Sequence, residues 1–282
     1  MQAIEVKNKQ DVHLQSFQKE SLNLYLLIEG HSISTSIFNA ANSVLFSIHT
    51  LTFGHTKIGN EISSAELAYF LNEFELLKHT YNHVSVQLLN RLFTLIPHSY
   101  DGGNSKELLA FNLGLKEIKT AHTDLINNTI SFVYTTDFEL LSFIEKTFSA
   151  SKINHAGATS IDLFLRLQTL KNSDVFLNIH SSVLELIIKK DNDLLFYNIF
   201  KWDSNEDVLY FLLFTIEQFQ LNQATARLII AGNIATSNEL FTLIKKYIKS
   251  VSFISSKAIT KPSDQMPNHY YFNILNRHLC EL

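Results

Sequence analysis

Residues Val175 to Phe200 read VFLNIHSSVLELIIKKDNDLLFYNIF. Val175 to Ile179 is a short apolar run that suits a buried strand. His180 to Ser182 interrupts it, and Val183 to Lys189 then alternates apolar with polar residues, the period of a strand with two unlike faces. Asp191-Asn192-Asp193 has hairpin-turn chemistry, and Leu194 to Phe200 makes a third strand. Three strands with two tight connections predict an antiparallel meander.

Beyond Phe200 the chain alternates helix and strand. Ser204 and Asp207 form a capping signature for a helix over Val208 to Phe219, apolar nearly all round and so expected to be sandwiched on both sides. Arg227 to Ala231 is β-branched, Gly232-Asn233 turns the chain, and Thr236 with Glu239 caps a helix carrying Leu240, Leu243, Ile244 and Tyr247 inward. Val251 to Ile254 is a last short strand. The loop Ser256 to Asn268 holds two of the three prolines, and Tyr270 to Leu279 packs back as a helix.

A longer version of the same order occupies residues 20–170. Leu22 to Ile28 is almost continuously apolar and stops at Glu29-Gly30. Ser32 to Phe38 sets Ile33, Thr35 and Ile37 against serines, as in a half-exposed strand; Asn39 to Asn42 turns, and Val44 to Leu51 is the third strand. Ser63 and Glu66 form a capping box before a helix with Leu67, Phe70, Leu71, Phe74 and Leu77 on one face. Val84 to Leu89 and Phe93 to Ile96 are strands. Pro97 and Asp101-Gly102-Gly103 mark a loop, and Asn104 with Glu107 caps a short helix ending at Gly114. Thr129 to Tyr134 is a strand, Thr136 and Glu139 cap a helix through Phe148, Lys152 to Asn154 is a short strand, and Thr159 with Asp162 caps a helix to Leu170. The chain is thus an α/β protein of two halves, 1–172 with an insertion and 173–282, repeated in element order rather than in residues.

Of 282 residues, 46% are hydrophobic and 18% charged, which excludes a disordered chain, and a net charge of −4 gives no support to nucleic-acid binding. Lys245, Lys246 and Lys249 read as a solvated helix end that suits the dipole. Cys280 is the one cysteine, so neither an internal disulfide nor a cysteine metal site is expected. Met1 to His13 has no apolar core of a signal peptide, and the apolar run Val208 to Ile216 is too short to span a bilayer. The expected location is the cytoplasm, where the sequon Asn127-Asn128-Thr129 has no role.

Three antiparallel strands followed by alternating helix and strand, given twice, resemble the actin-like ATPase fold of the ribonuclease H-like superfamily. Leu92-Phe93-Thr94-Leu95-Ile96-Pro97, Leu108-Leu109-Ala110-Phe111-Asn112 and the run from Tyr197-Asn198 through Glu206-Asp207-Val208-Leu209-Tyr210-Phe211-Leu212-Leu213-Phe214 to Ala231-Gly232 are similar to a bacterial family, domain of unknown function 3822. The resemblance implies that fold and no established activity. It also implies where a nucleotide would lie: one hairpin turn per half holds the phosphates, with a metal-binding carboxylate and small glycines, and a glycine pair faces the adenosine.

The first turn is Glu29-Gly30-His31-Ser32, which keeps a carboxylate, a glycine and a hydroxyl in altered order. The favoured reading is an ordinary hairpin turn with Gly30 at positive φ, since a lone glycine turn is weak evidence for a phosphate site. The second is Ile179-His180-Ser181-Ser182, with neither glycine nor carboxylate, whereas Mg²⁺ prefers oxygen ligands. Ala231-Gly232-Asn233 keeps one glycine of the pair and suits a tight strand-to-helix turn as well as an approaching adenine. The helix N-terminus at Thr236 is open to an anion, as every such terminus is. These segments predict a non-catalytic pseudo-ATPase that works as scaffold or regulator through protein contacts, with a protein partner or its own copies, and without a cofactor. The alternative is a nucleotide-binding protein or weak ATPase holding Mg-ATP with Glu29, Gly30, Ser32 and Gly232, which requires Glu29 to face an open cleft. A third reading is a small-molecule or metal sensor built on His31 and His180.

Other chemistry is weakly signalled. His79 and His83 are four apart, but the chain leaves the helix between them; His49 and His55 flank a turn; no H-E-x-x-H occurs. A two-metal nuclease would need more than Glu29, since the later strand ends in Leu89-Asn90. No G-x-S-x-G, P-loop or G-x-G-x-x-G is present. Phe196, Tyr197, Phe200, Trp202, Tyr210, Phe211 and Phe214 cluster in sequence and read as core and helix–sheet packing; those on the helix are expected in the core, and Trp202, at a strand end, is open between core and an aromatic edge for a partner.

Overall fold

The computed structural model describes residues 6–13, 21–39, 44–54, 61–149, 151–167, 174–190, 193–222, 226–254, 267 and 269–280. Its compact units are 1–159 with 280–282, and 160–279.

In the N-terminal unit β1 (Val6–His13), β2 (Leu22–Glu29), β3 (Ser32–Asn39), β4 (Leu45–Phe53), α1 (Ser64–Glu73), β5 (Tyr81–Leu89), β6 (Phe93–Pro97), α2 (Ser105–Asn112), β7 (His122–Ile126), β8 (Ile130–Tyr134), α3 (Phe138–Thr147) and β9 (Lys152–His155) come in order, and α4 (Ala156–Arg166) runs across the boundary. Six strands form one sheet in the order β1-β4-β3-β2-β5-β9. The meander is antiparallel, and β2 pairs β5 and β5 pairs β9 in parallel. The insertion is the small sheet β6-β8-β7 with α2 beside it. The C-terminal unit repeats the frame without the insertion. It comprises β10 (Asp174–Ile179), β11 (Val183–Lys190), β12 (Asp193–Lys201), α5 (Asn205–Gln218), β13 (Arg227–Gly232), α6 (Glu239–Tyr247), β14 (Ser250–Phe253) and α7 (Phe272–Asn276), with sheet order β12-β11-β10-β13-β14. The order β4-β3-β2-β5-β9 matches it strand for strand.

The structure corrects several expectations. β3 is buried along its whole length, because β2 and β4 flank it and its polar residues find internal partners: Thr35 donates to the Tyr25 carbonyl at 2.8 Å, and the Ser34 and Thr50 hydroxyls lie 3.0 Å apart. β11 is likewise buried from Val183 to Lys189. Its alternation survives as chemistry: Leu184, Leu186 and Ile188 join the α5 and α6 core, while Glu185 and Lys189 point the other way, Lys189 donating to the Phe164 and Leu167 carbonyls at the end of α4. β1 and β7 carry little apolar alternation, and the sequence pattern does not predict them. The α3 cap is Asp137 and the α6 cap Asn238, not Thr136 and Thr236. α4 begins at Ala156, so Thr159 lies inside it, accepting from Gln87 at 2.7 Å, and Asp162 pairs with Arg166 instead of capping. Asn104 precedes α2 without a side-chain cap bond. Leu77 is exposed because α1 stops at Glu73 and Glu75 turns left-handed; Tyr247 also faces solvent. The turns at 40–42 and 191–192, His55, the helix tail at 168–170 and the loop at 256–266 lie outside the described residues. Among the described residues no helix is long and apolar enough to cross a membrane.

The α5 start is as expected: the Ser204 hydroxyl accepts from the Asp207 N–H at 3.2 Å, and the Asp207 carboxylate accepts from the Ser204 N–H at 3.0 Å. These bonds hold the Asp207 carboxyl below its usual value, the Asp203 backbone N–H contributing most. Ser204→Ala is expected to cost about 1 kcal/mol in urea unfolding, the usual worth of such a cap. α5 is not sandwiched: Val208, Leu212 and Ile216 are buried, but Tyr210 and Phe214 are exposed, which corrects their reading as core. Trp202 packs against the same core.

Candidate functional site

The first turn is a two-residue hairpin. Glu29 pairs with Ser32 across it, Gly30 sits at φ +38°, and the His31 carbonyl accepts from the Phe53 N–H at 2.7 Å. Glu29 is only 8% exposed, and the Ser32 hydroxyl donates to its Oε1 at 2.8 Å. The cavity beside Gly30, lined by Ile28, Leu88, Asn90 and Thr136 among others, measures about 20 Å³, room for roughly one water. Asn90 is used structurally, donating to the Thr135 carbonyl at 2.9 Å.

In the second turn His180 closes the hairpin, its N–H donating to the Val183 carbonyl at 2.9 Å, while Ser181 is exposed and Ser182 half-buried. The His180 ring turns inward. Its Nε2 donates to Glu185 Oε2 at 2.8 Å, and the same oxygen accepts from Asn178 Nδ2 at 2.7 Å and the Ser160 hydroxyl at 3.0 Å. The Tyr197 hydroxyl donates to Oε1 at 2.9 Å. Asn273 closes the ring, accepting from Asn178 at 2.8 Å and donating to Ser160 at 2.9 Å. Five elements meet here: α4, β10, β11, β12 and α7. Glu185 is wholly buried. Burial works to raise its carboxyl, but the donors, His180 first, outweigh it and hold the group below its ordinary value. Burial, with the neighbouring carboxylate, pushes the Tyr197 phenol well above its usual range.

Gly232 ends β13 at φ +91°. A Cβ there would stand 2.0 Å from the Ile179 carbonyl oxygen and 2.6 Å from its nitrogen. Two backbones therefore touch at this point, and the Asn233 N–H donates to that carbonyl at 3.0 Å. The Gly232 N–H donates to the His269 carbonyl at 2.7 Å. The structure thus joins the Ile179-His180 and Gly232-Asn233 segments, and it gives the glycine a packing reason. α6 begins at Glu239, so Thr236 is not its N-terminus.

Sequence patterns single out His180 but not Glu185, Asn178, Tyr197, Ser160 or Asn273. One signal is present: a glutamate inside VLELII, where a buried strand demands a partner. The N-terminal unit has a second buried polar group. Asp124 accepts from Asn154 Nδ2 at 2.8 Å and the His155 N–H at 2.7 Å, and the His155 ring stacks on Phe132 at 4.6 Å. A further polar chain, with its aspartate exposed, is Asp11–His49–Ser47, with contacts of 2.8 and 3.0 Å, beside a cavity of about 270 Å³. It has the order of a nucleophilic triad, but Ser47 is 1% exposed and Phe74 covers the imidazole at 4.5 Å, so a substrate carbonyl has no approach. Among the described residues no group of three or more His, Cys, Asp or Glu is arranged to hold a metal.

Two sheets, each a meander extended by parallel strands, define an actin-like ATPase fold. A protein of that fold and unknown function from Bacteroides thetaiotaomicron superposes with a TM-score of 0.77 at 19% identity, over 93% of this chain and 97% of that one. The type IV pilus biogenesis complex PilM-PilN contains another similar chain, with a TM-score of 0.59 at 13% identity, over 91% of this chain and 96% of that one. The chain belongs to the family described as Protein of unknown function (DUF3822), whose model matches residues 11–251. A comparison with curated protein sequences finds no match.

Proposed function

We propose that this protein is a pseudo-ATPase: a non-catalytic member of the actin-like fold that acts as scaffold or regulator through protein contacts. The observation that carries this reading is the second turn. Where the fold would need a carboxylate and glycines around a phosphate, His180 is drawn into a buried, mutually satisfied set of hydrogen bonds with Glu185. A ring so engaged must break a charge-assisted bond to meet a phosphate. Gly232 supports the same reading, since its missing side chain is used by the Ile179 backbone. So does Glu29, buried and bonded to Ser32. The pilus protein of similar fold is found in a complex with another protein, which agrees with a role in contacts.

Thermal unfolding of the full chain with and without Mg-ATP tests it. A ligand that binds only the native state at one hundred times its Kd adds about 2.7 kcal/mol of stability. The expected result is an unchanged melting temperature with any nucleotide. A rise that is lost on Glu29→Ala overturns the proposal in favour of a nucleotide site.

A further inference from the structure

The two units treat the outer edge of the meander differently. In the N-terminal sheet the third meander strand, β4, is covered by β1 in an antiparallel ladder. Its counterpart β12 stands last in the C-terminal sheet, and among the described residues it pairs with β11 alone. β12, DLLFYNIFK, is long and apolar for an edge, and such a strand is a template for another. The β11–β12 register shifts between Ile188 and Lys189, which leaves Leu195 as a bulge, so the regular part begins at Phe196. At the other end the Trp202 N–H still donates to the Ser182 carbonyl, at 3.4 Å. Backbone groups alternate in direction along an antiparallel strand. The even positions therefore bond inward to β11, and Tyr197, Ile199 and Lys201 present theirs at the free edge. The Ile199 N–H agrees: its acceptor is the Asn198 Oδ1 at 2.8 Å, and not a strand.

We propose that β12 is a homodimer edge, on which a second copy of this chain lays its own β12 about a two-fold axis perpendicular to the sheet. Such an axis makes a strand antiparallel to its copy, so self-pairing meets no conflict of direction. The regular stretch, residues 196–202, is centred on Ile199, and that sets the register. Ile199 exchanges backbone bonds with the partner's Ile199, and Tyr197 with the partner's Lys201. The Asn198 side chain gives up the Ile199 N–H to the partner's carbonyl. On the face that α5 covers, Phe196 stands opposite the partner's Trp202, and Phe200 opposite the partner's Asn198. Phe196, Phe200 and Trp202 are half-buried against the α5 core, with Phe196 and Phe200 packed on Phe219 and Phe211. Aromatic pairs across strands strengthen a ladder. A second copy fits this edge because its bulge and its strand end fall at matching places, and no charge is set opposite its own kind. The inference goes beyond the pseudo-ATPase reading and stands or falls without it, because no nucleotide is involved.

Sedimentation of the full chain over a range of concentrations reads the association, and amide hydrogen exchange at the same concentrations reads where it occurs. The expected result is a concentration-dependent dimer in which exchange slows at Tyr197, Ile199 and Lys201. Lys201 is exposed, and its N–H faces the free edge. Lys201→Pro therefore removes a bond that only the dimer makes, and it weakens association at least about tenfold. Lys201→Ala keeps the N–H and leaves association unchanged. Urea unfolding checks that both variants are folded; if Lys201→Pro is not, the exchange pattern of the wild type decides alone. A wild-type chain that stays monomeric up to the high micromolar range overturns the proposal and leaves the edge to a different protein. A dimer whose β12 amides exchange as fast as in the monomer also overturns it, as does a folded Lys201→Pro chain that associates like the wild type.

Discussion

Gly232→Ala is expected to lower the unfolding free energy by about 3–5 kcal/mol, the combined cost of a strained left-handed backbone and an overpacked contact. The added Cβ meets main-chain atoms of Ile179 at 2.0 Å, and no rotamer change can relieve that. Either β13 must move away from β10, or the turn must give up its bonds to Ile179 and His269. Gly103→Ala is the control: its φ is also positive, at +84°, but nothing lies within 4 Å of the new atom. It should cost only about 1 kcal/mol. Urea unfolding of both variants separates steric collision from backbone strain. Equal losses would show that β13 and β10 do not approach as described.

Glu185→Leu is expected to cost about 3–5 kcal/mol, because it leaves the donors of His180, Asn178 and Tyr197 buried without their charged acceptor. Glu185→Gln should cost clearly less. Its amide oxygen can take the place of Oε2, and its NH2 can donate to the Tyr197 oxygen. The pair also has a pH signature. The folded carboxyl lies below its ordinary value, so its contribution to stability is fully present above the unfolded-state value of about 4.3 and is lost as pH falls through the folded value. The stability gap between wild type and Glu185→Gln, followed by urea unfolding across the acid range, should therefore shrink as pH falls below about 4. A gap that stays constant would mean that Glu185 is not ionised in the folded protein.

The parts of the fold that are legible in the sequence are those decided by neighbours in the chain. Ser63 with Glu66 and Ser204 with Asp207 are capping boxes in the structure as in the sequence, since both partners lie within one turn. The two meanders and the helices and strands after them, β7 excepted, are legible because tight turns and hydrophobic period are local signals. Thr136 and Thr236 mislead because a second capping residue, Asp137 or Asn238, stands close by; the direction in which the chain enters the helix selects between them. β1 is invisible in the pattern because its residues, VKNKQDVH, carry no hydrophobic period.

For the candidate site, the sequence by itself determined that the chain has a duplicated α/β frame, that its second turn has neither glycine nor carboxylate, and that Gly232 must lie at a turn or a close approach. Only the tertiary structure decided that the close approach is to the backbone of Ile179, that Ser34, Thr35 and Ser36 are buried, and that His180 belongs to Glu185. It also decided that Tyr210 and Phe214 face outward. The physical reason is range. Caps and turns are set by groups a few residues apart, whereas the Glu185 network is closed by Ser160, 25 residues before it, and by Asn273, 95 residues beyond Asn178, and which face of an apolar helix is covered depends on the layer laid against it.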